Sequence, residues 1–247
     1  MTSEEGEGRM FRREKTPQAR LFKEDRDRLL KLLSDMVEVA RRALDKAMRA
    51  LLEHSDDLAL EVMSVDEEKV DLLEIEIERE CLRLIAMRQP VREELRFVFS
   101  VLKIITDLER IGDQAVNIAQ RTLDLNREGL LKPLVDIPKM AEICQEMISG
   151  AIRSMVEMDA ELAKAVSLKD EEVDALNHAI LAELVEIAGR THIIDPLSIK
   201  KATDLMLVAR HLERVGDHAS NIAERSFFFI TGKRIKEELV AGKAQSS

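Results

Sequence analysis

Leu108-Glu-Arg-Ile-Gly-Asp-Gln-Ala-Val-Asn-Ile-Ala-Gln-Arg121 returns later in the chain as Leu212-Glu-Arg-Val-Gly-Asp-His-Ala-Ser-Asn-Ile-Ala-Glu-Arg225. Ten of the fourteen positions are identical at an offset of 104 residues. The same offset holds upstream, pairing Arg49 with Arg153 and Leu58-Ala59 with Leu162-Ala163. Glu67 and Asp71 align with Asp170 and Asp174 at an offset of 103, a slip of one residue. A repeat of this period means two copies of one structural unit, each about 100 residues long and of a size that can bury its own core. The reading divides the chain into a mobile leader over 1–20, repeat one over 21–126, repeat two over 127–232 and a flexible tail over 233–247.

Composition gives the class of that unit. There is no Trp, no Tyr and seven Phe, with nine Gly and five Pro in 247 residues. Chains poor in turn residues and β-favouring aromatics, and rich in Leu, Ala, Glu, Arg and Met, build helices. Six long helical patterns follow: Asp25 to His54, Ser55 or Asp56 to Met87, Pro90 to about Leu125, one after the Asn126–Pro138 connector ending at Val166, about Lys169 to Gly189, and Pro196 to Phe229. Pro90 is assigned to the first turn of the third helix, where its missing N–H costs nothing. The predicted fold is all-α, two tandem three-helix bundles. Phe227-Phe228-Phe229 is expected to pack against the first helix or the other repeat.

Forty-eight acidic against 38 basic side chains leave a net charge of −10. Such a balance, without stacking aromatics, argues against nucleic acid, and its ordinary role is solubility. The longest apolar run, Leu205 to Ala209, falls far short of the roughly 18 residues that span a bilayer. Met1 to Arg13 is charged, so no secretory leader is expected. Cys81 and Cys144 form no disulfide framework or metal-type pair. A reduced, cytoplasmic protein is expected. No glycine-rich phosphate loop, nucleophile elbow, HExxH or CxxC is present.

Four times two acidic residues stand four apart: Glu67/Asp71, Glu109/Asp113, Asp170/Asp174 and Glu213/Asp217. This spacing stacks both carboxylates on one helix face, roughly 6 Å apart, and costs a few tenths of a kcal/mol without a counter-charge. If consecutive helices run antiparallel, the first two pairs are centred on residues 69 and 111, equidistant from the turn at Pro90. The second two are centred on 172 and 215, and their midpoint also falls in a turn, near Ile193. Each hairpin therefore brings four carboxylates to one level. All-oxygen ligation suits hard or borderline cations, and bundles with inward carboxylates hold two or more metals. Asn117 and Asn221 lie one turn on and could add an amide oxygen. Gly112 and Gly216 stand beside the aspartates and imply a close approach. Against metal, an isolated pair of this kind is nearly always a solvated face, and Arg110, Arg121, Arg214 and Arg225 could pair with the acids instead. The absence of an ExxH motif argues against a ferritin-type oxygen-activating site. His178, His211 and His218 have no histidine in the other copy and are read as incidental or packing residues.

Leu108–Ala119 and Leu212–Glu224, with Ala86-Met-Arg-Gln-Pro90 and the acidic pairs, resemble the PhoU family over roughly Leu21 to Gly232. The resemblance implies two three-helix bundles whose E(D)xxxD motifs hold multinuclear metal clusters. It places those ligands at Glu67, Asp71, Glu109, Asp113, Asp170, Asp174, Glu213 and Asp217. Iron is the favoured metal, with Mn, Mg, Zn or Ca as alternatives. It further implies a non-enzymatic, homodimeric cytoplasmic adaptor acting as a negative regulator of high-affinity phosphate uptake and of phosphate-starvation signalling. The partners implied are the ATPase of the phosphate ABC transporter and a sensor histidine kinase, with peripheral membrane association through them, no membrane insertion and no nucleic acid. Two other classes remain open on the residues alone: a carboxylate-metal phosphohydrolase and a purely structural helical scaffold.

Overall fold

Helix α1 (Pro17–Glu53) starts inside the stretch expected as leader and carries a continuous apolar stripe through Leu29, Leu33, Met36, Ala40, Leu44, Ala47 and Leu51, all buried. The computed structural model describes residues 17–131, 133–190 and 195–238. It continues with α2 (Asp56–Glu61), a π-helical turn (Val62–Asp66), α3 (Glu67–Arg88) and α4 (Glu93–Glu128). The second half holds α5 (Asp136–Glu157), α6 (Ala160–Leu168), α7 (Asp170–Arg190) and α8 (Pro196–Thr231). No strand occurs among the described residues. The turn centred near Ile193 lies outside them.

The repeat is visible in the backbone. His54 and Met158, equivalent positions, both adopt the left-handed conformation, with φ of 55° and 59°. Each is followed by a capping residue: Ser55 Oγ accepts from the Leu58 N–H at 3.3 Å, and Asp159 Oδ1 accepts from the Leu162 N–H at 2.9 Å. The helix expected to run unbroken to Val166 therefore stops at Glu157 and restarts at Ala160. Removing the cap by Asp159→Ala is expected to cost about 1 kcal/mol, read as a lower urea midpoint at unchanged slope.

Further along, the one-residue slip is absorbed by the π-turn. Repeat one has one residue more than repeat two between Leu58 and Glu67, and there the helix widens by a turn of i→i+5 type, as Glu67 N–H bonds to the Val62 carbonyl. Repeat two passes the same place with Lys169 in an ordinary αR turn. Pro90 does not open α4. Gln89 ends α3 in a left-handed conformation (φ 48°), Arg92 takes φ 55°, and the helix begins at Glu93.

Helices α4 and α8 pack antiparallel and join the two repeats. Asp107 faces His218, Gln114 faces His211 and Arg121 faces Asp204, in steps of seven along both helices. Seven residues are two turns, so these pairs share one seam. The first two pairs are images of each other under the repeat, as are Arg41 and Gln145, which hydrogen-bond reciprocally between α1 and α5. The two halves are thus related by an approximate two-fold axis. One apolar cluster runs from Leu33 on α1 through Ile104 on α4 to Met147 on α5 and Leu212 on α8, so the repeats share a core.

Phe229 packs edge-on against Phe97 of the other repeat, with centroids 5.4 Å apart. Arg96 Nε donates to the Phe229 carbonyl at 2.8 Å. Phe227 is buried in a smaller cluster with Ala163 and Ile235. Residues 235–238, placed in the expected flexible tail, form a helical turn in which Lys164 pairs with Glu238.

Candidate carboxylate sites

Each repeat sets the start of one helix against the middle of a 36-residue one. In repeat one, α3 presents Glu67 and Asp71, and α4 presents Glu109 and Asp113. In repeat two, α7 presents Asp170 and Asp174, and α8 presents Glu213 and Asp217. Glycine allows the helices to approach at these levels. A Cβ on Gly112 would lie 3.3 Å from Val70 Cγ1, and one on Gly216 would lie 3.0 Å from Val173 Cγ1 and 3.2 Å from Asp170 Oδ1.

The antiparallel register puts the pairs opposite each other as expected from spacing. Burial first, then the neighbouring charges of Asp71 and Asp113, raise the Glu67 carboxyl above its usual range. Burial and the charge of Asp113 do the same to Glu109, with Arg110 opposing. In the second repeat burial, then Asp217, Asp174 and Glu213, push Asp170 up to about 6. Glu213, 8% exposed, is likewise raised by burial. These shifts share one physical cause: carboxylates of one sign held together in partly desolvated ground.

The site is wider than the acidic pairs. One heptad beyond Glu67 and Asp170 stand Glu74 and Asn177, equivalent at the same 103 offset. Burial and the charge of Asp71 raise Glu74. Asn177 is 3% exposed, and its Oδ1 is buried without a hydrogen-bond partner among the described residues. Their continuation of the i, i+4, i+7 stripe was the available signal. Beside Asp170 and Asp217 lies a cleft of about 420 Å³, also lined by Arg214, His218, Asn221 and Lys236.

Arginine answers part of the charge. Arg110 Nη1 lies 3.0 Å from Asp113 Oδ2, and its Nε lies 3.3 Å from Glu109 Oε2. Glu213 pairs with Arg210. Arg121 turns elsewhere, to Asp124 at 3.6 Å and Asp204 at 3.3 Å. Asn221 donates to Asp107 at 3.4 Å across the α4–α8 seam, while Asn117 is half-buried. His218 also donates to Asp107, at 3.0 Å, and His178 bonds the Asp174 carbonyl of its own helix.

The fit to a cation can be judged from the oxygens. Asp170 Oδ1, Asn177 Oδ1 and Glu213 Oε2 are buried acceptors with no donor among the described residues. An unpaired buried acceptor costs roughly 1–3 kcal/mol, more when charged. A hard cation would satisfy acceptors of this kind without competing donors. Among the described residues, however, no three His, Cys, Asp or Glu side chains are drawn together around a single point. The donor set suits a metal; the side chains line a face rather than enclose a centre.

The PhoU domain family model matches residues 33–122 and again 137–226. This chain belongs to the PhoU family. The two PhoU matches coincide with the two halves exchanged by the approximate two-fold axis. The chain is 40% identical over 227 residues to a phosphate-specific transport system accessory protein PhoU homolog of Aquifex aeolicus, covering 92% of this chain and all of the relative. A homolog of the same name from Deinococcus radiodurans is 40% identical over 201 residues, 81% of this chain and 92% of its own. The crystal structure of PhoU from Pseudomonas aeruginosa superposes with a TM-score of 0.80 at 31% identity, covering 86% of this chain and 100% of that one. The structure titled phosphate transport system regulatory protein PhoU, from Streptococcus pneumoniae, gives 0.79 at 25% identity, over 87% of this chain and 99% of that one.

Proposed function

We propose that this PhoU-family chain is a cytoplasmic, metal-binding adaptor that negatively regulates phosphate uptake and phosphate-starvation signalling. It does so by linking the ATPase of a phosphate ABC transporter to a sensor histidine kinase, and it works as a homodimer. The observation that carries the metal reading is the set of three buried, donor-less oxygens of Asp170, Asn177 and Glu213 among four carboxylates. The printed names of the relatives, an accessory and a regulatory protein of phosphate transport, support the adaptor reading. Among the described residues no helix is long and apolar enough to cross a membrane, so contact with a membrane would run through partners. Glu67, Asp71, Glu109 and Asp113 would hold one cluster, and Asp170, Asp174, Glu213 and Asp217 the other. A bound cation would neutralise like charges across each seam, stiffening the surface that partners read.

Elemental analysis of protein purified without chelator is expected to find several equivalents of one metal, iron foremost. The variant with Ala at Glu109, Asp113, Glu213 and Asp217 should carry none. Equal metal in both would sink the assignment of these residues. Retrieval from phosphate-replete cells should bring down the transporter ATPase or the kinase; recovery of neither with intact, metal-loaded protein would overturn the adaptor reading.

A further inference from the structure

The two-fold relation invites a comparison of equivalent positions, and one place differs sharply. In repeat one Lys46 reaches from α1 to the α2–π-turn segment, its ammonium 2.6 Å from Glu61 and 2.9 Å from the buried Asp66. The equivalents of Lys46, Glu61 and Asp66 in repeat two are Gly150, Ala165 and Lys169. The bridging side chain is gone, both acids are gone, and a cation stands where one acid was.

The result is a groove of about 380 Å³ between α1, α5 and α6. Its apolar lining is small, with Gly150 and Val166 buried, Leu162 half-buried and Ala165 exposed at its edge. Gly150 cannot be replaced by a larger residue without displacing a neighbour, because a Cβ there would come 2.7 Å from Val166 Cγ2. Around the rim stand Arg41, Arg153 and Lys169, with Glu146 as the acid that also lines the groove. On a chain of net charge −10, three cations against one acid leave the lining of this groove positive, with Glu38 and Glu157 standing outside it.

Present partners of these cations are weak competitors. Lys169 pairs with Glu146, whose side chain is 64% exposed. Arg153 lies 3.9 Å from Glu157, and Arg41 lies 3.7 Å from Glu38, both exposed carboxylates. Exposed pairs of this kind contribute about 0–1 kcal/mol and exchange readily. An oxyanion with two or more charges would engage two guanidinium groups and an ammonium together, with charge-assisted hydrogen bonds that single carboxylates do not match.

We infer that the α1–α5–α6 groove of repeat two is a binding site for a phosphate-class oxyanion, contacted by Arg41, Arg153 and Lys169 in the space left by Gly150 and Ala165. The shared chemistry is the phosphoryl group, whether free phosphate or part of a small phosphorylated molecule. A volume of about 380 Å³ lies in the range of small-molecule pockets and leaves room beside the anion over Leu162 and Val166. This site is separate from the carboxylate seams and does not rest on the metal reading.

The experiment is titration calorimetry on the full chain after removal of metal, with inorganic phosphate, pyrophosphate and ATP as separate ligands. At least one should bind with an affinity that falls as salt rises. Two variants test the location. Ala165→Glu restores the acid of repeat one at an exposed position, and Arg153→Gln/Lys169→Gln removes two charges from exposed or half-buried positions. Each should weaken binding at least tenfold, with the fold verified by circular dichroism. Binding of phosphate alone would identify the free anion, and binding of ATP or pyrophosphate alone would identify a phosphorylated molecule. No binding by any of the three, or binding unchanged in both variants, would overturn the inference. Binding lost instead in the Glu109, Asp113, Glu213 and Asp217 Ala variant would move the anion to the carboxylate seams and equally overturn it. Absence of metal from purified protein would leave the outcome of this titration untouched, so the two readings fail independently.

Discussion

Replacing Phe97 by Ala is expected to lower the melting temperature of the whole chain by roughly 10 °C, in a single transition. Phe97 is 1% exposed and among the largest side chains that are fully buried. Phe-to-Ala changes in cores cost about 3–5 kcal/mol, through lost transfer energy and the cavity left behind. A chain of this length loses about 2–4 °C per kcal/mol. Phe97 lies in the second turn of α4 in repeat one, yet its ring partner is Phe229, near the end of α8 in repeat two. The damage should therefore reach both halves. Were the repeats independent, calorimetry of the variant would resolve a second transition at the parent temperature. The shared apolar cluster argues against that outcome.

Asp170→Asn is expected to stabilise the metal-free protein at pH 7 by about 1–2 kcal/mol and to have little effect near pH 4. The folded protein raises Asp170 from its ordinary 3.8 to about 6, first through burial and then through Asp217 and Asp174. A carboxyl with a raised folded value is penalised when ionised. The penalty is fully present above about pH 6 and absent below about 3.8. A rise from 3.8 to about 6 corresponds to about 3 kcal/mol. Partial solvent access and side-chain relaxation reduce it to the smaller figure. Chelated parent protein should accordingly gain stability as the pH falls from 7 towards 5, and Glu67, Glu74, Glu109 and Glu213 add in the same direction. Urea unfolding at the two pH values measures both effects. With saturating metal the sign should reverse, since a cation that binds only the folded state favours the charged oxygen that Asn lacks. A destabilising Asp170→Asn in chelated protein would show that the carboxylate is held by a donor rather than crowded by acids.

Much of this architecture was legible because helix periodicity and the repeat constrain each other. Spacing by four stacks carboxylates on one face, and equal distance from a turn brings two faces to one level. No side-chain detail was needed for that. The break at Met158 was missed because nothing in Met158-Asp159 resembles a Gly or Pro stop. Its image, His54-Ser55, was read as a boundary, so the repeat itself carried the missing information. Pro90 misled in the opposite way. A proline near a helix start suits the first turn, but Gln89 and Arg92, both at positive φ, carry the chain through a wider corner. Asn177 escaped notice because an uncharged amide makes no acidic pattern. Glu74 was hidden among Glu68, Glu76, Glu78 and Glu80 on the same helix. The groove at Gly150 could be found only by subtraction, by asking which bridging residues of one half the other had lost.

The widened turn at Val62–Asp66 has a consequence for how duplicated halves drift apart. In a regular α-helix, one added residue rotates everything beyond it by about 100°. Such a rotation would swing Glu67 and Asp71 off their seam and bring apolar side chains into water. Taken up as a bulge, the extra residue leaves the bearing of the downstream face unchanged. The helix thus acts as a slip joint, in which length can vary on one side of Glu67 while aim is preserved on the other. Two copies can then differ in length ahead of this turn and still point the same four carboxylates at each other.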